Sequence, residues 1–462
     1  MFQKNKININ YYKELSDLND LNELDSDKIY FLEEKDILKY NSKSKKKFFR
    51  YVGLIIFSNG DIISVLPKCV SDEILYNKNN RESYTRKILE TLVKYNSKKF
   101  DEFSFFTLES IDEEKEFNLF SLYDFLINDF LEYGLYKEKK DIYEENGDSE
   151  IDWEHTLNVE TGYLNKNKKP LYLNYYNFES IDDNNNIIQE IHKFLLNESS
   201  KYFRELSFLG IEKADLNFYT QLEINIENKD KIKSLLKKVL RRTFNQRKIK
   251  LLKVFLIILN KDFHSKEEDT KLYGTKFFHT IWEDICKVLF NNLYNKASDY
   301  HKIIETFTKP RYEIVGYPNV GKSLLPDVVT IYKNFFLVID AKYYNIYIQS
   351  SEDTDELTDE ELDTHTKDKI IGYLPASYDV LKQFVYMESF LKDPKFSFTK
   401  ETIKNIFIIP GEENRCLGKI KMEFFKEKHI EVYLMNFEES LYFYQKDKIN
   451  EKMLELILNP SF

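Results

Sequence analysis

The 462-residue sequence predicts an α/β (α+β) protein, with a C-terminal mixed sheet flanked by helices behind a β-rich N-terminal domain and a helical middle region. Three patterns carry that expectation. Short β-branched and aromatic runs broken by turn residues occupy 51–70 and recur between 325 and 437. Apolar residues return every three or four positions at 82–98, 117–137, 187–208, 229–253, 275–294 and 377–391. The length itself exceeds one ordinary core. The expected division is 1–180, 181–262 and 263–462, with a polar, turn-prone boundary in KDFHSKEEDTKLYG (261–274).

The elements follow in order. RYVGLIIFSNGDIISVLPK places Asn59-Gly60 between two apolar runs, a strong hairpin signal. Helices are expected at 82–98 and 117–137, then a polar stretch, 141–158, with Trp153 as its apolar anchor. Residues 161–186 have no clear period, and helical spacing returns at 187–208. Residues 229–253 carry eleven Lys or Arg against one Asp, so they read as an amphipathic basic helix. That helix offers either a solvated face or a surface that tracks phosphates or docks a partner. VFLIIL (254–259) has the composition of a buried helix end. After the helix at 275–294, strand signals lie at 311–316, 325–332 and 335–342. An acidic insertion, 351–369, reads as a surface loop. A helix at 377–391 and strands at 405–411, 419–425 and 429–437 complete the pattern.

Bulk charge narrows the function. The formal net charge is −10, so any DNA-binding surface must be local. Three widely spaced cysteines, Cys69, Cys286 and Cys416, argue for a reducing cytoplasm and against a disulfide framework or zinc site. The N-terminus lacks a signal-peptide core, and no apolar run approaches membrane-spanning length, so no membrane role is expected.

Gly316–Ser323 spells G-x-x-x-x-G-K-S, the pattern of a phosphate-binding loop. A true P-loop needs a helix starting at Lys322–Ser323, but Pro326 follows at once and LLPDVVTIY is strand-like. The interval to FFLVID is too short for a βαβ crossover of about thirty residues. The match reads as a Gly/Pro turn entering a strand, with no bound nucleotide.

LLPDVVTIYKNFFLVIDAKYY reads instead as a hairpin turning at Lys333–Asn334, in which paired residue numbers sum to 667. Asp327 then opposes Asp340, with Cβ atoms about 4.5–5.5 Å apart. Opposed carboxylates in apolar surroundings repel unless a cation sits between them. Lys342 lies two residues beyond Asp340 and shares its face. Two carboxylates for Mg²⁺ beside an ammonium are the parts that phosphodiester hydrolysis needs. A surface hairpin with a structural Asp–Lys pair is the bland alternative.

Pro326-Asp327 followed by Asp340-Ala341-Lys342 resembles the PD-(D/E)xK nuclease superfamily. That resemblance implies a mixed sheet flanked by helices over 263–462. It implies Asp327 and Asp340 as metal ligands and Lys342 as the water-orienting, charge-stabilising group. It further implies an acidic contributor from the preceding helix, Glu283 with Asp284 as fallback, also counted as a metal ligand. Gln383 and Tyr386, with Lys382 beside them, match the Gln and Tyr many members carry on the following helix, supporting the site or contacting the DNA backbone.

Further pieces widen the resemblance: YVGLIIFSNGDIISVLPKCV (51–70), EIDWEHTL (150–157), RKIKLLK (247–253), FHTIWEDIC (278–286), LPDVV (325–329), VIDAKYY (338–344) and LPASYDVLKQFVY (374–386). In this order, over roughly 50 to 440, they are similar to the LlaJI-type restriction endonucleases, relatives of McrC-like nuclease subunits. The resemblance implies a Mg²⁺-dependent restriction (phage-defence) nuclease cutting double-stranded DNA. It also implies a separate McrB-like AAA+ GTPase that recognises and translocates DNA, docked by the N-terminal part, with Ser58–Asp61 or the basic helix as candidate contacts. Two other functions remain open: a non-catalytic activator of that NTPase, and a stand-alone nuclease.

Overall fold

The sequence around Asn59-Gly60 folds as its pattern requires, into an antiparallel pair of strands. In the computed structural model the described residues are 9–16, 24–42, 45–103, 119–183, 186–211, 213–224, 226–260, 270–295, 297–310, 321–349, 369–372, 374–394, 396 and 398–460. The expected strand at 311–316, the start of the P-loop-like stretch and the acidic insertion up to residue 368 lie outside them. The chain divides into two units, residues 1–99 with 268–462, and residues 100–267.

In the first unit, an N-terminal sheet contains β1 (Ile9–Lys13), β2 (Val52–Ile56), β3 (Ile62–Leu66) and β4 (Lys271–Thr275), in the order β1-β3-β2-β4. β1 runs parallel to β3, and the other neighbours are antiparallel. The β2–β4 pairing sets Gly53 opposite Gly274. A Cβ on Gly53, whose φ is +139°, would lie 2.3 Å from the Tyr273 carbonyl oxygen, so only glycine allows the strands this close.

The second sheet of this unit builds the site. Helix α1 (Phe278–Leu289) precedes β5 (Val328–Tyr332) and β6 (Phe335–Ala341). Helix α2 (Ser377–Lys392), β7 (Ile403–Gly411), β8 (Arg415–Ile420) and β9 (Ile430–Asn436) follow, and helix α3 (Phe437–Gln445) comes next. The strand order is β5-β6-β7-β9-β8, with β6–β7 and β7–β9 parallel and both edges antiparallel. This is the mixed sheet expected from the sequence. Phe336 and Val338 of β6 pack with Tyr386, Met387 and Phe390 of α2. The alternate residues face the other way, and Tyr343, just past β6, lies against Phe278 of α1 with ring centroids 5.4 Å apart and the rings tilted by 45°. The strand expected at 419–425 ends early. Pairing stops at Ile420 after a bulge between Cys416 and Gly418, and Glu423–Phe425 forms a 3-10 turn.

The second unit has its core on helices Leu119–Tyr133, Ile187–Arg204, Ile226–Leu240 and Gln246–Asn260. Residues 254–259 are fully packed inside it. The expected single basic helix is broken in two at 241–245. Asn245 accepts a hydrogen bond from the Lys248 amide at 3.1 Å and so caps a new helix. Several of its charges are used internally: Arg247 grips Asp129 through two nitrogens, the closest contact being 2.8 Å. Residues 139–182 form a small sheet of Lys139–Glu145, Tyr176–Asp182 and Glu150–Ile151. Trp153 is no anchor: it opens the helix Trp153–Val159 and is 54% exposed, because its short helix buries only Thr156. Among the described residues, no helix is long and apolar enough to cross a membrane.

Candidate active site

The β5–β6 hairpin turns at Lys333–Asn334, and Lys333 takes a φ of +51°. Val328 faces Ile339 and Tyr332 faces Phe335, the register expected from the sequence. Continued by one residue, that register brings Asp327 to Asp340. Asp327 anchors itself by accepting the Ala341 amide proton at 2.8 Å. Asp340, the penultimate residue of β6, is 2% exposed, and neither of its oxygens has an aligned hydrogen-bond donor. Two ammonium groups face it instead: Lys342 Nζ lies 2.6 Å from Oδ2, and Lys382 Nζ lies 3.7 Å from Oδ1.

The electrostatics match that picture. Burial, and then the negative charges of Asp340 and Glu283, push the Asp327 carboxyl up to about 7. Burial also raises the Cys286 thiol well above its usual range, with Asp327 and Glu283 adding to it. Glu283 on α1 therefore belongs to this electrostatic neighbourhood. Asp284, the fallback, turns elsewhere: it accepts from Tyr444 at 2.5 Å and lies 3.5 Å from Lys98 Nζ. Burial alone would lower the Lys342 ammonium, but Asp340 and Asp379 together raise it above its usual value.

Gln383 and Tyr386 serve the site from inside. Gln383 is fully buried and donates to the Val338 carbonyl at 2.9 Å and the Ile406 carbonyl at 3.2 Å. Tyr386 donates to the Leu325 carbonyl at 2.5 Å. Val338 and Leu325 each stand two residues before an aspartate of the pair, so α2 braces both carboxylate-bearing segments. With these donors used inward, neither side chain presents itself to a DNA backbone. Tyr343 is tied from the opposite direction, donating to buried Glu14 at 2.6 Å beneath Lys68 Nζ, which lies 4.4 Å from its ring centre.

One participant escaped the sequence analysis. Asp379 in the first turn of α2 takes the Lys342 ammonium at 2.7 Å and the Tyr344 hydroxyl at 3.2 Å. Burial would raise its carboxyl, but Lys342 outweighs burial and holds it below the usual range. The signal was present, since Asp379, Lys382, Gln383 and Tyr386 have the three- and four-residue spacings of one helix face.

No three His, Cys, Asp or Glu side chains among the described residues form a metal-binding group. Magnesium commonly takes only one or two carboxylates, with water and substrate phosphate completing its shell. Asp327 and Asp340 suit that habit: two mutually repelling carboxylates, one with both oxygens lacking an aligned donor. Of the P-loop-like stretch only Gly321–Ser323 lie among the described residues. Residues 321–326 are irregular, no helix starts at Lys322–Ser323, and the chain runs on into β5.

A chain of an assembly of McrB AAA+ hexamers with bound McrC from Thermococcus gammatolerans is distantly similar. Its TM-score is 0.39 at 14% identity, over 95% of this chain and 99% of that one. In sequence, the chain is 27% identical over 429 residues to the type II restriction enzyme BsuMI component YdjA of Bacillus subtilis (strain 168), covering 90% of this chain and 84% of that protein. The family model of the LlaJI restriction endonucleases matches residues 51–438, and the chain belongs to that family.

Proposed function

We propose that the chain is the Mg²⁺-dependent nuclease subunit of a restriction system and hydrolyses phosphodiesters of double-stranded DNA at the Asp327–Asp340 pair. The observation that carries this is the hairpin register that sets the two carboxylates together with Lys342 on the same face. Asp327 and Asp340 would hold the cation, and Glu283 adds negative charge to the same neighbourhood. Held there, the ion would supply Lewis-acid charge and lower the pKa of a water. Lys342 orients the attacking water and donates to the oxygen on which charge grows. Lys382, whose Nζ lies 3.7 Å from Asp340 Oδ1, is a second cation available to a bound phosphate. Gln383 and Tyr386 keep the two aspartates from drifting apart.

The family motifs support a separate AAA+ GTPase as partner, and a relative described as a component of a restriction enzyme supports a multi-subunit system. Three cysteines, all buried and unbridged, fit work in the cytoplasm. The test is plasmid cleavage in Mg²⁺ by wild type and Asp340→Ala, with and without the co-encoded NTPase and GTP. Cutting that requires Asp340, the partner and GTP is the expected result. Cutting by Asp340→Ala would remove the site assignment. Absence of cutting in wild type, with NTPase stimulation intact, would turn the chain into a regulatory subunit.

A further inference from the structure

Lys342 raises a difficulty for any cation at this site. Its ammonium already occupies the immediate surroundings of Asp340, 2.6 Å from Oδ2. A divalent ion approaching the same carboxylate meets a positive charge in its path. The ammonium cannot simply leave for solvent, because the Lys342 side chain is 13% exposed and lies against the sheet near the Phe407 ring, 5.8 Å away.

We propose that Asp379 is a positioning residue that holds the Lys342 ammonium aside, so that Asp340 can accept a divalent cation while Lys342 stays charged and directed at the scissile phosphate. This rests on the cation-binding role of Asp327 and Asp340 given above. Asp379 Oδ1 lies 2.7 Å from Lys342 Nζ, almost the same distance as Asp340 Oδ2 at 2.6 Å. The lysine thus spans two carboxylates, and surrendering one leaves it paired. The other Asp379 oxygen is engaged by the Tyr344 hydroxyl at 3.2 Å, which fixes the carboxylate's orientation. Its place in the first turn of α2 adds the favourable field of a helix N-terminus, so the negative charge persists when the lysine shifts toward it. Partners behind a metal ligand typically tune affinity by about 10–100-fold.

The test measures Mg²⁺ and Ca²⁺ binding to the full-length protein by titration calorimetry, without DNA. The proteins are wild type, Asp379→Asn, Asp379→Glu, Lys342→Ala and the double variant Asp379→Asn/Lys342→Ala. Asp379→Asn is expected to weaken cation binding by roughly tenfold, at the low end of that range. Asp379→Glu should recover most of the loss. In the Lys342→Ala background the same Asn change should have little effect, because no ammonium remains to be held aside. In cleavage assays kcat should fall for Asp379→Asn, while the Kd for DNA stays put.

Equal cation affinity in wild type and Asp379→Asn would overturn the proposal. So would a loss that persists or grows without Lys342, which would mean that Asp379 attracts the ion by its own charge. Absence of cation binding by wild type would instead bring down the Asp327–Asp340 site itself, and this proposal with it. Unchanged melting of Asp379→Asn and its rescue by Glu separate positioning from a fold defect.

Discussion

Replacing Asp327 by Asn should stabilise the metal-free protein above neutral pH, and the effect should vanish as pH falls. Burial, Asp340 and Glu283 move this carboxyl from 3.8 to about 7. Between those values the folded protein keeps a proton that the unfolded chain releases, so stability declines as pH rises through the window. Above about 7 the full penalty is present, with a ceiling of about 4 kcal/mol at 1.36 kcal/mol per unit. The repulsion is shared with Asp340, so about 2 kcal/mol is the working figure for removing one charge. Asn keeps an oxygen for the Ala341 amide, so the 2.8 Å contact survives. In chelator at pH 8 the transition of the first unit should rise by roughly 4–8 °C. At pH 5 the gain should drop below half, and saturating Mg²⁺ at pH 8 should erase it by stabilising wild type alone. A variant less stable than wild type at pH 8, or a gain that ignores pH, would refute the crowding of carboxylates.

Gln383→Ala removes two inward hydrogen bonds from a fully buried side chain, so a loss of about 1–3 kcal/mol is expected in denaturant titrations of the first unit. Arg247→Ala leaves Asp129, whose side chain is 5% exposed, without its cation, and the unit of residues 100–267 should lose about 3–5 kcal/mol. Lys322→Ala should change stability by no more than about 0.5 kcal/mol and leave cleavage and its GTP response intact, since Lys322 is exposed in an irregular segment. Loss of GTP-dependent cleavage in this variant, with its stability unchanged, would restore the P-loop.

The site was legible where local chemistry sets geometry. A two-residue turn fixes the hairpin register, and register puts Asp327, Asp340 and Lys342 together without knowledge of the rest of the chain. Gln383 and Tyr386 stood out through the family resemblance, but their direction depends on packing against β6 and β7, which a motif match does not encode. Asp379 was missed because an acid in a helix's first turn has an ordinary local explanation in the helix dipole. The broken basic helix was readable at Asn245, where the charge pattern drew attention away from the cap. Trp153 was misjudged because hydrophobic residues need not be inside. The pairing of β2 with β4 was invisible, since nothing near residue 53 announces a glycine at 274.

That last pairing has a consequence for the ribosome. β2 and β3 can close their hairpin as soon as they emerge, but the other edge of β2 waits for β4, roughly 200 residues later. At about 5–20 residues per second the open edge persists for on the order of 10–40 s in each nascent chain. An apolar strand edge is a template for pairing with another chain, and neighbouring ribosomes on one message bring identical edges close together. Gly53 tempers the hazard: its φ of +139° suits a partner with no side chain opposite, so a second copy of β2 itself is a poor fit except at that one register. By the same geometry, the glycine pair that lets the finished sheet close would narrow what can bind that edge first during synthesis.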